Sequence, residues 1–231
     1  MRRLRTDYLD LYQIHWPSRG HYNFERSWTY APQHQQTADV LANLEDMLET
    51  LGALVGQGKI RHIGVSNETT WGIAQWLRLA EAKGLPRLVS VQNEYSLLRR
   101  HFDLDLAELS HHENVGLLAY SPLAAGILTG KYLGGTIPPG SRADYQRGMW
   151  RLNQYSEPAT QAYVALAREH GLDPAQMALA FCLGRPFVTS VIIGATDAEQ
   201  LATALGAPSC VLSPEVLAGI EAIHRLYPRP I

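Results

Sequence analysis

Short apolar runs alternate along the chain with stretches in which apolar residues recur every three or four positions. The short runs predict strands at residues 8–15, 60–67, 88–92, 116–120 and 191–194. The three-to-four-residue spacing predicts helices at about residues 40–55, 69–83, 104–110 and 213–226. A segment rich in Gly, Arg and polar residues predicts a long loop at 138–156.

Helix starts in the last third of the chain carry capping signals. Asp173 precedes Pro174, and Gln176 follows three residues after the acid, which predicts an N-cap, a first-turn proline and a capping box. Residues 196–199 repeat this pattern directly after the last predicted strand, and they predict another helix start.

Strands that alternate with helices predict an α/β fold, with a parallel sheet covered by helices and a single domain over residues 1–231. The pattern contains about five strand-helix units. A closed (β/α)8 barrel needs eight such units, so the count is three short of a barrel.

The composition limits the partners and the cellular location that can be expected for the chain. The 231 residues carry a net charge of -2, which gives no electrostatic reason to expect nucleic acid or an anionic membrane as a partner. No apolar run approaches the roughly 18 residues of a membrane span, and no apolar core follows the basic N-terminus. Cys182 and Cys210, each beside apolar residues, predict reduced core thiols. We therefore expect a cytoplasmic protein.

Five strings in order, each near the end of a predicted strand, resemble the aldo-keto reductase family. They lie at residues 7–17, 58–67, 91–96, 119–123 and 126–131. The chain is most similar to the Tas-type branch, which is related to potassium-channel β subunits. The resemblance implies a (β/α)8 TIM-barrel type of fold, of which this chain carries about strands 4–8, and NADP(H) bound at the C-terminal strand ends. The first three βα units have no counterpart, which implies an N-terminally truncated barrel.

The resemblance also implies a reaction, the NADPH-dependent reduction of aldehydes and ketones. Hydride passes from nicotinamide to the carbonyl carbon of a small-molecule substrate, while a tyrosine supplies the proton. A lysine lowers the pKa of that tyrosine, an aspartate holds the lysine, and a histidine orients the carbonyl. His15 stands where the family has this histidine; its alternative interpretation is a structural residue. The aspartate, tyrosine and lysine belong to the units without counterpart, so we expect the chain alone to be inactive.

By the same resemblance, most of the cofactor-binding positions are present. Ser66, Asn67 and Gln92 match positions that bind the nicotinamide carboxamide; alternatively, Ser66 and Asn67 cap the following helix. Tyr120 matches the aromatic residue on which the nicotinamide ring stacks, and its alternative role is packing at the barrel rim.

The positions matched to the phosphates and the adenine follow. A loop would wrap the pyrophosphate through Ser121, Pro122, Leu123, Gly126, Leu128 and Lys131. Gly194, Ala195 and Thr196 are expected to open a helix whose N–H groups favour phosphate, and Gln200 matches an adenine contact. The family often has arginine in place of Thr196 and asparagine in place of Ala204, which weakens the case for NADP over NAD.

The sequence also leads to expectations about metal binding, the role of Met1 and oligomerisation. His111 and His112 are expected to point apart on an exposed helix end and to hold no metal. Met1 is expected to be an internal methionine of a longer enzyme; the alternative is a short, non-catalytic protein that senses nucleotide or binds a partner. An oligomer is possible. In the short-protein alternative two sheet edges would be unpaired, and a rearrangement or another chain would have to cover them.

Overall fold

The computed structural model of the chain describes residues 2–24, 26–146 and 149–231, so the prediction about Met1 lies outside the described residues. It has an α/β fold. The strands are β1 Leu9–Ile14, β2 Ile60–Ser66, β3 Leu88–Glu94, β4 Gly116–Tyr120 and β5 Val188–Val191. The helices are α1 Thr37–Gly56, α2 Thr70–Lys83, α3 Asp105–Glu113, α4 Arg142–Tyr145, α5 Ser156–Glu169, α6 Pro174–Leu183, α7 Ala198–Gly206 and α8 Pro214–Leu226.

The chain divides into two compact units. The first contains Met1–Asn93 and Leu104–Leu118, and the second contains Glu94–Asp103 and Ala119–Ile231. In the first unit the strands pair in chain order from β1 to β4, and in the second β5 pairs beside the end of β4. The prediction of five strands in a parallel sheet is therefore confirmed, although the fifth predicted strand shares only Val191 with β5. Closure into an eight-stranded barrel stays an expectation from the resemblance.

The first three strands are parallel and in close register. Gln13 lies opposite Gly64, and Val65 lies opposite Val91. A Cβ atom on Gly64 would come within 2.6 Å of the Ser90 hydroxyl, so only glycine permits this approach of β2 to β3. The register brings the C-terminal ends of the three strands together.

Two helices cover this part of the sheet as the spacing predicts. On α1 the buried side chains are Leu44, Leu48 and Leu51, which recur every three to four residues. The Thr69 hydroxyl accepts a hydrogen bond from the Gly72 N–H and so caps α2.

The second unit contains a helix that the sequence analysis missed. Helix α5 has 14 residues, and it begins at Ser156, where the predicted loop ends. Its buried face includes Ala159, Thr160 and Ala167, and these small side chains gave a weak apolar signal. The predicted loop is also interrupted by the single turn of α4.

Several predicted boundaries in the second unit are wrong. Strand β5 ends at Val191, whereas the predicted strand begins there and continues to residue 194. Ile192 and Ile193 lie outside β5 and are more than a third exposed. Asp173 caps α6 as predicted, but the Gln176 side chain does not complete a capping box. Its amide instead donates to the carbonyl of Thr203, 3.1 Å away.

Both cysteines are free thiols, although only Cys182 belongs to the core; Cys210 is half-buried. In the part of the chain that the structure describes, no single helix has the length and apolar character of a membrane span. The bent pair Ala198–Ser209 and Pro214–Leu226 meets the same test of length and composition.

Candidate functional site

His15 is the first residue after β1, at the C-terminal end of the strand. Its side chain is exposed, and its ring centroid lies 4.9 Å from that of Trp16. The backbone carbonyl of His15 accepts a 2.9 Å hydrogen bond from the Asn67 side-chain amide. The end of β1 is therefore tied directly to the residue that follows β2.

Asn67 lies at the centre of this first cluster. It is buried, and its φ of 57° is in the left-handed region that asparagine tolerates better than most residues. Its N–H donates to the Gln92 carbonyl at 3.1 Å, and its own carbonyl accepts from the Asn23 side chain at 2.8 Å. Three separate segments thus fix its position.

The other two predicted carboxamide-binding residues belong to the same cluster. The Ser66 hydroxyl donates to the Gln92 carbonyl at 2.7 Å, and the Gln92 side-chain oxygen accepts from Gln13 at 3.0 Å. Because α2 is capped by Thr69, the alternative that Ser66 and Asn67 serve only as caps is wrong. The first unit therefore brings His15, Ser66, Asn67 and Gln92 together.

Sequence reasoning missed the charged residues behind this cluster. Arg19, in the loop after β1, forms a buried ion pair with Glu68, which directly follows Asn67. The side chains are 4% and 2% exposed. Both residues lie outside the five strings that resemble the family, and a lone arginine in a polar loop gives no signal of burial.

In the second unit, Tyr120 ends β4 and is half-buried. Burial, together with the nearby Glu94 carboxylate, raises the pKa of Tyr120 above its ordinary value, so the phenol stays protonated. Glu94 is itself buried between two arginines, with Arg151 at 2.7 Å and Arg99 at 3.6 Å.

The loop after Tyr120 has an unusual backbone. Positive φ angles occur at Ser121 (53°), Ala124 (48°), Ala125 (61°) and Gly126 (91°). Non-glycine residues in this region cost on the order of 1–2 kcal/mol each, and such strain concentrates at ligand-binding segments. A Cβ atom on Gly126 would lie 3.1 Å from Lys131 Cε, so glycine there lets the lysine fold over the loop.

The remaining predicted loop residues differ in exposure. Pro122 and Leu128 are buried within the second unit, so their side chains pack in its core and do not face solvent. Lys131 is exposed, with Nζ 5.2 Å from the centre of the Tyr132 ring. Ser121, Leu123 and Gly126 are half-buried.

The predicted phosphate segment is corrected in one respect. Helix α7 begins at Ala198, so the residues from Gly194 to Thr196 precede the helix and do not open it. The Thr196 N–H and hydroxyl both donate to the Gln200 side-chain oxygen at 3.2 Å. The Gln200 amide donates in turn to Asp197 at 2.6 Å. Gln200 and the Thr196 N–H are therefore engaged in capping, and the predicted free N–H at Thr196 is wrong.

His111 and His112 lie in the last turn of α3, and both are exposed as predicted. Their rings do not point apart; the centroids are 4.9 Å apart in an edge-to-face arrangement. Within the described ranges, no group of three or more His, Cys, Asp or Glu side chains is arranged to hold a metal ion.

Comparison with known proteins supports the assignment made from the motifs. The sequence model of the aldo/keto reductase family matches residues 1–225. The chain is 48% identical to Protein tas of Escherichia coli over 235 residues, which cover 100% of this chain and 66% of that protein. It is 37% identical to an aldo-keto reductase of Babesia bovis over 213 residues, which cover 87% of this chain and 74% of that protein.

A more distant relative supports the same branch. The chain is 28% identical to a probable voltage-gated potassium channel subunit beta of Oryza sativa subsp. japonica over 243 residues, 99% of this chain and 66% of that protein. The chain thus spans just under two thirds of the length of the Tas protein. From the family match over nearly all of its residues and the likeness to Tas, the chain belongs to the Tas-type branch of the aldo/keto reductase family.

Proposed function

We propose that this chain binds NADP(H) and contributes His15 to the NADPH-dependent reduction of aldehydes or ketones. The observation that carries the proposal is the hydrogen-bonded cluster in which Asn67 joins His15 to Gln92. The cluster lies at the C-terminal ends of parallel strands, where α/β enzymes place their ligands.

The first cluster fits a carboxamide. The Ser66 hydroxyl donates its proton to the Gln92 carbonyl and accepts a hydrogen bond from the Asn67 side-chain amide at 3.1 Å, so its oxygen retains one lone pair that can accept from a carboxamide NH2. The Gln92 side chain is half-buried, and its amide nitrogen supplies a donor for the carboxamide oxygen. A primary carboxamide needs such a pairing of one acceptor and one donor.

The second unit fits the pyrophosphate. The left-handed residues from Ala124 to Gly126 turn the backbone sharply, and the exposed Lys131 supplies a positive charge beside it. Lysine binds phosphate as a point charge, and a diphosphate that lies against this loop needs such a charge. Tyr120, kept neutral, offers an aromatic face for the nicotinamide ring.

The adenosine end fits NADP less well than NAD. Thr196 and Gln200 are hydrogen-bonded to each other, and the Asp197 carboxylate accepts hydrogen bonds from the backbone N–H and the side-chain amide of Gln200. A negative charge here opposes a 2′-phosphate. NADP(H) remains the proposed cofactor because the family uses it, and the relative affinity for NADPH and NADH tests this preference.

In the proposed reaction, bound NADPH supplies the hydride. His15, exposed at the end of β1, donates a hydrogen bond to the carbonyl oxygen of the substrate and so orients it. Asn67 fixes the backbone of His15 through its carbonyl, which limits the positions that the imidazole can take. The substrate is a small carbonyl compound; neither nucleic acid nor membrane is part of the proposal.

A combined binding and turnover assay on the 231-residue chain tests the proposal. We expect saturable NADPH binding without measurable aldehyde reduction, because the proton-donating tyrosine and its lysine and aspartate match no segment of this chain. Absence of NADPH binding would remove the proposed function. Robust turnover that is lost in His15→Ala would keep the reductase function and overturn the assignment of the other catalytic groups.

A further inference from the structure

The segment of residues 16–24, which follows His15, is attached to the body of the first unit by a buried ion pair and by single hydrogen bonds, among them those from Ser18 to Asn43 and from Asn23 to Asn67. Arg19 Nη1 lies 3.1 Å from Glu68 Oε2, and Arg19 Nη2 donates both to Glu68 Oε1 and, at 3.1 Å, to the Thr69 hydroxyl. The guanidinium also lies 5.2 Å from the centre of the Trp71 ring. A planar, bidentate contact of this kind fixes direction as well as distance.

Glu68 is the rigid partner of the pair. Its N–H donates to the Asn93 side chain at 3.1 Å, and its carbonyl accepts from the same side chain at 2.9 Å. Its carboxylate also accepts from the Thr69 N–H at 2.8 Å. Since Glu68 is fixed to the ends of β2 and β3, the ion pair places Arg19 and not the reverse.

Gly72 leaves space for the ion pair of Arg19 and Glu68. A Cβ atom on Gly72, in the first turn of α2, would overlap both the Glu68 carboxylate and the Arg19 guanidinium. The φ angle of Gly72 is not in the left-handed region, so the backbone itself does not require glycine. Alanine has the higher helix propensity, and the glycine is explained by the space that the ion pair occupies.

Stability alone does not explain such a pair. Desolvation of two buried charges offsets most of their attraction, and apolar replacements of similar volume are often as stable. A buried ion pair does, however, select one geometry, because any displacement leaves a charge without its partner. The contact is therefore suited to hold a segment in place.

The segment that it holds lies against the candidate site. Asn23 donates to the carbonyl of Asn67, and Trp16 stacks on His21 with ring centroids 5.2 Å apart. Trp16 also contacts Phe24, with centroids 4.7 Å apart. Displacement of the segment would remove the Asn23 contact, one of three that position Asn67, and Asn67 in turn fixes the carbonyl of His15.

We propose that Arg19 and Glu68 are positioning residues, whose buried ion pair fixes residues 16–24 as a wall beside His15 and Asn67. The wall excludes water from the nicotinamide side of the site, and this part of the inference rests on the proposed function. The fixed position of the segment does not depend on that function.

Hydrogen exchange of the 231-residue chain, followed by mass spectrometry, tests the fixed position. Arg19→Met removes the charge, and Gly72→Ala displaces the pair while it keeps both charges. Two variants serve as matched controls. Arg87→Met breaks a half-exposed ion pair with Glu113, and Gly56→Ala adds a methyl group that has no neighbour within 4 Å. We expect exchange in residues 16–24 to rise about tenfold in the first two variants and to stay unchanged in the controls.

The emission of bound NADPH distinguishes a positioning role of the ion pair from a general contribution to stability. In Arg19→Met and Gly72→Ala, bound NADPH should keep its affinity within about twofold, while its emission shifts to the red because water reaches the nicotinamide. Arg19→Lys, which keeps the charge, should recover part of the protection and of the emission. Unchanged exchange in residues 16–24, equal increases throughout the chain, or unshifted emission of bound NADPH would overturn the inference. A wild-type chain that binds no NADPH would instead remove the proposed function, and the exchange result would still decide whether the ion pair fixes the segment.

Discussion

The side-chain amide of Asn67 donates a 2.9 Å hydrogen bond to the backbone carbonyl of His15 and thereby ties the ends of two parallel strands together. The same residue holds a left-handed backbone conformation while it is buried. Most residues avoid that conformation, and asparagine is among the few that adopt it without a large penalty. Asn67 thus combines a backbone role with a side-chain role that connects His15 to Gln92.

Substitution of Asn67 separates these two roles. Asn67→Ala loses the bond to His15 and places a Cβ atom in a left-handed conformation, so we expect a loss of about 2–3 kcal/mol in the free energy of unfolding. Asn67→Gly loses the same bond without the backbone strain, so its loss should be smaller by about 1 kcal/mol. Urea unfolding of both variants measures the difference. Equal losses would show that the backbone strain at Asn67 is negligible.

The adenosine end is tested by restoring the arginine that the family often has. Thr196→Arg removes the hydroxyl that donates to Gln200 and places a guanidinium where a 2′-phosphate would lie. The ratio of NADPH to NADH affinity should rise about tenfold, because arginine forms charge-assisted hydrogen bonds with phosphate. Calorimetric titration with both cofactors measures the ratio, and Thr196→Gln is the uncharged control of similar length. An unchanged ratio in Thr196→Arg would place the 2′-phosphate elsewhere.

Lys131 is tested in the same way at the pyrophosphate. Lys131→Met keeps much of the side-chain length and removes the charge, and NADPH should bind about tenfold more weakly. The dependence of affinity on salt should also decrease, since one exposed charge contact is lost. Lys59→Met, a substitution at an exposed lysine in the turn before β2, is the control and should leave the affinity unchanged. Equal effects of the two substitutions would indicate general electrostatics instead of a pyrophosphate contact at Lys131.

A half-buried histidine of the second unit, His101, is expected to lower the stability of the fold in acid. Burial, with Arg99 as a further cause, lowers the pKa of His101 from its ordinary 6.5 to about 4. Between these values the unfolded chain binds the proton and the folded chain does not. The stabilisation is therefore complete above pH 6.5 and is lost as the pH falls towards 4, by roughly 3 kcal/mol at most.

The measurement for His101 is urea unfolding at pH 7 and pH 4. His101→Asn keeps a polar side chain that does not titrate in this range, and its stability should fall less than that of the wild type over the same interval. Carboxylates titrate equally in both proteins, so the difference between the two declines isolates the histidine. Identical declines would contradict the lowered pKa.

Elements with a strong local signal were predicted well from the sequence. The apolar spacing of α1, the cap at Asp173 and the start of the last helix at residue 213 agree with the structure, because caps and amphipathic faces depend on neighbouring residues. Helix α5 was missed, since its buried face is made largely of alanine and hydroxyl side chains, whose burial depends on the packing of the second unit.

The residues of the candidate site also fall into those that the sequence predicted and those that it did not. His15, Ser66, Asn67 and Gln92 were found through motifs that resemble the family, and the structure joins them by hydrogen bonds. The ion pair of Arg19 and Glu68 was not found, because its partners are 49 residues apart and only the folded chain buries them together. The capping role of Thr196 and Gln200 was also missed, because the sequence predicted a strand up to residue 194 and a helix that opens directly after it.

Titration of the 231-residue chain with NADPH, followed by nicotinamide fluorescence, shows whether the chain has a nicotinamide site. We expect saturable binding with emission shifted to the blue. We also expect Ser66→Ala, which removes the hydroxyl lone pair offered to the carboxamide, to weaken binding about tenfold, whereas Ser209→Ala at an exposed position of the second unit should not. Linear, unsaturated fluorescence, or binding that is indifferent to Ser66, would contradict the assignment of a nicotinamide site to the strand ends at Ser66, Asn67 and Gln92.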